Sequence, residues 1–494
     1  MVDSALPILP VTVLVLGSYL IPLFRRRGHH FAGLTALTCL GLALGISCYF
    51  AVVAAGGAEF RYQVGGWAPP FGIEVRVGLL ESLMLILITG VSFLVTIWSL
   101  DGLTREINPS VSPWYYTMLL LTTLGMIGMV MARDLFNLYV FIEVTGIGAC
   151  ALVASQSNRL ATLAAFKYLA LATIGSGFIL FGIGVLYMVT GNLNYDFVSA
   201  EMLAAWVDYP QLVWVAVSFF LVGFSLKAAL FPLHVWLPDA HSSAPSPSSA
   251  ILSGLVVKAY AFSLIKVLPL FLVMEPQAAT HYAVRLVILI MAFLAIIGGS
   301  AFALVQSKVK RLLAYSTVAQ MGYIFLGIGI GTPLTLTAAL FHFLAHALMK
   351  CCLFLSAGSM AQHTGAKDIS GYDGMARRMP LTMGAFAVGA LSMIGIPGFV
   401  GLVTKWYLAI GAMEAGLPVY AVLMVASGTL NAAYYLPILE RAYFRPPREQ
   451  PAGDEGPARM LVPVVILAAG CIVLGVVPGR AIDLISRTVA LIQF

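Results

Sequence analysis

The sequence predicts an all-α, polytopic membrane protein of about fourteen transmembrane helices. Three observations predict it. Of 494 residues, 60% are hydrophobic and only 10% charged, less than half the charged share of ordinary soluble domains. Apolar runs of roughly 18 residues or more recur from end to end, each long enough to cross the hydrocarbon as a helix. Most of the remaining charge sits in short loops between those runs and is shared unequally between alternate loops.

The spans fall near residues 6–24, 31–55, 78–100, 114–131, 134–154, 163–190, 211–240, 247–273, 281–307, 312–330, 333–361, 381–411, 417–445 and 460–478. The first, "LPILPVTVLVLGSYLIPLF" followed by "RRR", is too long for a signal-peptide core and carries its charge on the wrong side, so it reads as a spanning helix. The twelfth is the least regular, with "GIPGFVG" in its middle. Residues 1–113 hold spans one to three, 114–273 spans four to eight, 281–445 spans nine to thirteen, and 460–494 the last.

Loop charge sets an expected orientation. Loops after odd-numbered spans hold Arg25, Arg26, Arg27, Arg105, Arg159, Lys167, Lys308, Lys310, Arg311, Lys367, Arg377, Arg378, Arg441, Arg445, Arg448 and Arg459. The other side holds Arg61, Arg76, Arg133, Arg285, Arg480 and Arg487. The richer side is expected in the cytoplasm, with both termini outside. The net charge of +6 is therefore an orientation signal and not an affinity for nucleic acid. Cys39, Cys48, Cys150, Cys351, Cys352 and Cys471 fall in apolar runs without metal-ligand spacing and read as small core residues. No phosphate loop, CxxC pair or haem motif occurs, so neither a cofactor nor a metal is expected, and no redox or hydrolytic site belongs to the chain itself.

Five basic residues remain, Lys227, Lys258, Lys266, Lys350 and Lys405, each a lysine within an apolar span. Glu143 joins them in "LFNLYVFIEVTGIGACALVA". An ionisable group at mid-bilayer costs roughly 2.5–3.5 kcal/mol, so five (Glu143, Lys227, Lys258, Lys350 and Lys405) together cost about 12–18 kcal/mol, as much as the net stability of a domain. Lys266 lies near the end of its span, where snorkelling to the interface is the competing reading. For Glu143 the competing reading is a structural ion pair. Lysine, unlike arginine, can give up its proton when desolvated. A carboxylate about 4 Å away opposes that by about 4 kcal/mol at an effective dielectric near 20. Opening and closing a Glu143–Lys227 pair would then switch Lys227 between holding and releasing a proton.

"LFHFLAHALMK" sets His342, His346 and Lys350 four residues apart, on one helix face. Three protonatable groups in a stripe read as a proton relay, with His342 as its accessory member. In "FPLHVWLPDAHSSAPSPSSA", Pro232 and Pro238 cannot donate to the carbonyls of Ala228 and His234. The seventh span is therefore expected to break just after Lys227. Unwound backbone at this depth is tolerated only inside protein or around a wet cavity. His234, Asp239 and His241 would stand at the cytoplasmic end of that break, where protons are taken up; an ordinary proline kink is the competing reading. Pro397 repeats the device eight residues before Lys405. Breaks in spans seven and twelve, five spans apart, suggest two five-helix repeats of opposite orientation around a midplane ion site.

At "FPLHVWLPDAH", "LVVKAY", "HALMK" and "GIPGFVGLVTKW" the chain resembles the antiporter-like proton-conducting membrane subunits. These occur in Mrp-type cation/proton antiporters, respiratory complex I and membrane-bound hydrogenases. The resemblance runs from about the third span to the thirteenth. It implies fourteen helices with inverted repeats and a polar axis along the middle of the membrane. Glu143, Lys227, Lys258, His346, Lys350 and Lys405 fall on the family's functional positions. Where the family often has two prolines this chain reads "GIPG". The chain also ends near its last span, without the long lateral helix of one complex I member.

The resemblance further implies other membrane subunits as partners, protons and Na+ as the ions moved, and the plasma membrane of a prokaryote. Lysine at 405, the compact length and "GYDGMARRMPLTM" favour the D-type member of an Mrp antiporter, with a complex I or hydrogenase membrane arm as the alternative. A carrier for an organic solute would call for a central pocket with arginine or aromatic anchors. A passive scaffold would call for few, paired buried charges. Neither fits five ionisable groups strung along the chain.

Overall fold

A computed structural model describes residues 2–3, 5–271, 279–447 and 455–490. Arg448, counted above among the cytoplasmic charges, lies outside them, as do the first residue and the domain limits at 273 and 494. The helices in chain order are α1 Leu9–Leu23, α2 Gly28–Ala55, α3 Leu79–Gly102, α4 Ser112–Met131, α5 Leu135–Ala154, α6 Arg159–Thr190 and α7 Tyr195–Asp208. There follow α8 Pro210–Lys227, α9 Trp236–Ser243, α10 Ser246–Ile251, α11 Val257–Phe271, α12 Ala279–Leu304, α13 Val309–Ile330 and α14 Pro333–Thr364. The last are α15 Met375–Arg378, α16 Pro380–Ile394, α17 Val400–Glu414, α18 Pro418–Phe444, α19 Ala458–Val476 and α20 Gly479–Val489.

Among the described residues, 13 helical stretches are long and apolar enough to cross a membrane. The twelfth span of the sequence is divided between α16 and α17, of 15 residues each. At 1.5 Å per residue neither half reaches across about 30 Å of hydrocarbon alone. In the eighth span, α10 and α11 are joined through one wide π-turn at Leu252–Val256.

Polarity decides which helices stand at the centre. The apolar stretch of α13 is 94% buried and that of α2 only 28%. α13 and α14 carry Ser316, Thr317, Gln320, His342, His346 and Ser356, all buried. Hydrocarbon offers such groups no hydrogen bonds, so they are covered by protein. The outer helices α2 and α6 instead expose Leu34, Leu42, Val52, Phe166 and Phe181, as lipid-facing surfaces do.

Two features escaped the sequence reading. Residues expected as loops form a small sheet of β1 Val2–Asp3, β2 Phe60–Gln63 and β3 Glu74–Val77, with β1 parallel and β3 antiparallel to β2. Arg61 and Arg76 stand directly opposite in its register, a repulsive arrangement. Each is answered by its own carboxylate, Arg61 by Glu74 at 2.7 Å and Arg76 by Glu59 at 2.5 Å. The short helices α7 and α20 also lie where loop or chain end was expected.

Candidate functional site

Helix α5 starts at Asp134, whose carboxylate accepts from the Asn137 amide at 2.8 Å and so satisfies one of the free donors of the first turn. Glu143 follows near the middle of this 20-residue helix. Lys227 is the last residue of α8. Its ammonium donates to Glu143 Oε1 at 3.5 Å, with the lysine side chain 1% exposed and the glutamate 30%. At an effective dielectric near 20 their attraction is about 5 kcal/mol. A tight ammonium–carboxylate bond measures about 2.8 Å, so this pair is in reach but not locked.

The chain leaves helix α8 at Ala228, four residues before Pro232. Ala229 adopts φ 53°. The freed carbonyls of α8 find donors within the protein: Leu230 N reaches Ser225 O at 2.9 Å, and Trp236 Nε1 reaches Leu226 O at 3.0 Å. Pro232 lies inside the resulting turn. Pro238 breaks nothing: it stands in the first turn of α9, where a missing N–H leaves no bond unmade. The three groups expected at the uptake end have different surroundings. Asp239 is part-exposed and pairs with Lys167 at 3.0 Å and Arg311 at 3.8 Å. His234 packs on Phe231, ring centroids 4.9 Å apart. His241 is fully buried against Phe354, and neither ring nitrogen has a hydrogen-bond partner.

Beyond the break, Lys258 donates to the carbonyl of Ser253, five residues back, within the π-turn that widens the helix there. The Ser253 hydroxyl meets that of Thr317 at 2.7 Å. Lys258 is within electrostatic range of His241, His342, His346 and Lys350. On α14, His342 and His346 stack with centroids 5.4 Å apart and planes 5° from parallel. His346 has no hydrogen-bond partner on either nitrogen, whereas His342 Nδ1 meets Thr404 Oγ1 at 3.1 Å. Lys350 turns to α13 and donates to Leu313 O at 2.8 Å and to the Ser316 hydroxyl.

Helix α16 stops at Gly395, φ 90°, two residues before Pro397. The Met393 carbonyl, which Pro397 leaves without its helical donor, is capped by protein. It accepts from Lys405 Nζ at 3.2 Å and from Asn431 Nδ2 at 2.7 Å, while Lys405 also donates to Ile394 O at 2.7 Å. Asn431 accepts from the Tyr434 hydroxyl at 2.5 Å and donates to that of Tyr323 at 3.2 Å, which bonds Ser427 at 2.9 Å. Thr404, Tyr323, Ser427 and Asn431 were missed by sequence reasoning. An asparagine within the apolar helix α18 was the one signal that could have found them.

Lys266 is held by protein oxygens. Its ammonium caps the end of α4, donating to Val130 O at 2.6 Å and Ala132 O at 2.9 Å, and faces Glu81 at 3.7 Å. It ties α11 to α3 and α4 and stands apart from the line of ionisable groups.

Residues 132–430 match the family described as NADH:quinone oxidoreductase/Mrp antiporter, TM. The chain is 39% identical to NADH-quinone oxidoreductase subunit N of Desulforudis audaxviator over 435 residues, 85% of each chain. It is 28% identical to the D component of the Na(+)/H(+) antiporter of Alkalihalophilus pseudofirmus over 474 residues, 95% of this chain and 93% of that one. A chain in the structure of the membrane-bound sulfane sulfur reductase, an archaeal respiratory membrane complex, superposes with a TM-score of 0.91 at 30% identity, covering 99% of this chain and 98% of that one.

Proposed function

The chain belongs to the NADH:quinone oxidoreductase/Mrp antiporter transmembrane family, and from that premise we propose that it moves protons inside a multisubunit membrane complex. The carrying observation is the succession of ionisable groups from the part-exposed Glu143 and buried Lys227 through buried Lys258, His346 and Lys350 to His342 and Lys405. Each has a neighbour able to accept or lend a proton or to hold the charge. Lys227 loses its counter-charge when it leaves Glu143, and without that charge its proton is free to pass toward Lys258. The histidine stack then offers ring nitrogens between Lys258 and the far lysine. His234, Asp239 and His241 serve the uptake side, and Lys405 exchanges with the opposite side.

Glu143 supports the need for partners. A carboxylate 30% exposed near the middle of a spanning helix would be costly against lipid. A second subunit covering that face removes the cost. The same reading takes α4 to α11 and α12 to α18 as two inverted repeats, and places both termini outside the plasma membrane of a prokaryote.

Which complex the chain serves is a finer question with two answers. Lysine at 405, with 28% identity to an antiporter D component over 95% of this chain, supports an Mrp-type exchanger of Na+ for H+. The 39% identity to a subunit N and the likeness to a respiratory complex favour a redox-driven membrane arm. Purification of the intact complex in mild detergent separates them. Small membrane subunits alone support exchange, and iron–sulfur subunits support the respiratory arm. In vesicles holding the complex, Glu143→Gln at normal abundance should abolish pH-gradient dissipation; a variant that transports like the parent would refute the relay.

A further inference from the structure

The lysines at the two ends of the line share a setting that the middle ones lack. Lys227 Nζ stands over the ring of Tyr260, 5.5 Å from its centroid, and Lys405 Nζ stands over the ring of Tyr323 at the same 5.5 Å. Both lie within the ~6 Å over which a ring face attracts a cation, an attraction that grows when water is excluded. Lys258 and Lys350 have no such ring among the described residues and are held by oxygen atoms alone.

A glycine faces each end lysine as well. Gly146 lies one turn beyond Glu143 on α5. A Cβ there would stand 3.2 Å from Lys227 Nζ and 3.7 Å from the Tyr260 hydroxyl. No side chain therefore separates ammonium from tyrosine on that side. At the other end, a Cβ on Gly428 would stand 3.7 Å from Lys405 Nζ, and one on Gly395 3.4 Å. Lysine, aromatic face and open glycine thus occur together twice, each time where a helix breaks.

We propose that Tyr260 and Tyr323 are positioning residues: each ring face is a second resting place for its lysine, so that the ammonium can leave its oxygen partner without becoming an unpartnered charge. This rests on the relay reading above and adds to it the group that holds the lysine in the open state. Without such a seat, separation of Lys227 from Glu143 would forfeit most of their attraction at once. With it, the lysine has two resting places and the notch at Gly146 leaves the path between them clear.

Tyr260 gives the cleaner test. Its hydroxyl faces that of Tyr168 without a well-formed hydrogen bond, so Tyr260→Phe removes little, whereas the Tyr323 hydroxyl is bonded to Ser427 and Asn431. In vesicles carrying the assembled complex, phenylalanine at 260 should keep transport within about twofold of the parent. Phenylalanines bearing one, two and three fluorines should then lower it stepwise, by about tenfold across the series, at unchanged abundance. Fluorine withdraws electron density from the ring face and barely alters shape, so a packing role predicts a flat series, and a flat series overturns the seat. Tyr260→Leu should fall at least as far as the trifluoro variant. Glu143→Gln is measured beside them. If it abolishes transport while the series is flat, the relay stands and the seat is wrong. If it transports like the parent, the relay fails and the seat falls with it.

Discussion

At Glu143 the carboxylate meets the Lys227 ammonium at 3.5 Å, a separation that leaves about 5 kcal/mol of attraction without a tight bond. Glu143→Gln should therefore abolish proton transfer while the protein still assembles, and Glu143→Asp should retain part of it. Vesicle pH-gradient dissipation at matched abundance checks both. Lys405 makes a second case. Lys405→Ala should block net transfer and leave the Glu143–Lys227 pair untouched. Lys405→Arg should be nearly as damaging, because a guanidinium keeps its proton at any accessible pH, whereas Lys405→Glu should keep partial function through a carboxyl group that can still titrate. Parent-like transport by Lys405→Arg would show that position 405 supplies charge alone. Asn431→Leu should strip the Met393 carbonyl and two tyrosines of a partner, costing about 1–3 kcal/mol, read as a lower melting temperature of the purified complex.

Helices that end against packed protein need their last carbonyls answered, and here lysine, asparagine and tryptophan side chains answer them. Trp236 caps the end of α8, Lys405 and Asn431 cap the end of α16, and Lys266 caps the end of α4. The return of the chain at α17 depends on Gly401, where a Cβ would stand 1.7 Å from the Ser392 carbonyl oxygen. Gly401→Ala should thus deplete the folded protein rather than slow it, with low membrane abundance by immunoblot and the surviving fraction near parental in rate. At α5, Asp134→Ala removes the helix cap and should cost about 1 kcal/mol, while Asp134→Asn should cost little; thermal unfolding of the complex distinguishes the two.

For the molecule as a whole, the proposed relay is expected to draw its driving force from partner subunits, since a similar chain stands in a respiratory membrane complex. Expressed alone, this chain should insert into the membrane and show no exchange; robust cation/proton antiport by the isolated chain would contradict this. The partial exposure of Glu143 points to the face a neighbour covers, and Glu143 should become accessible to a carboxyl-reactive reagent only when that neighbour is removed.

Hydropathy alone determined the helical class, the positions of most spans and the five buried lysines with their glutamate, because water and hydrocarbon sort residues before any packing is known. It also made His342, His346 and Lys350 one stripe, since four-residue spacing fixes a helix face. It could not decide what each group touches. The sequence placed the break of the seventh span just after Lys227, where α8 ends, but not the tertiary donors, Trp236 among them, that answer the carbonyls the last turn leaves free. It left Lys266 open between a buried group and a snorkelling side chain, and packing against α4 gave it the carbonyls of Val130 and Ala132. It passed over Tyr260, Tyr323, Asn431 and Thr404, because a tyrosine or threonine in an apolar run looks the same whether it faces lipid or an ammonium. Those partners come from helices far apart in the chain, and only their packing brings them to one lysine.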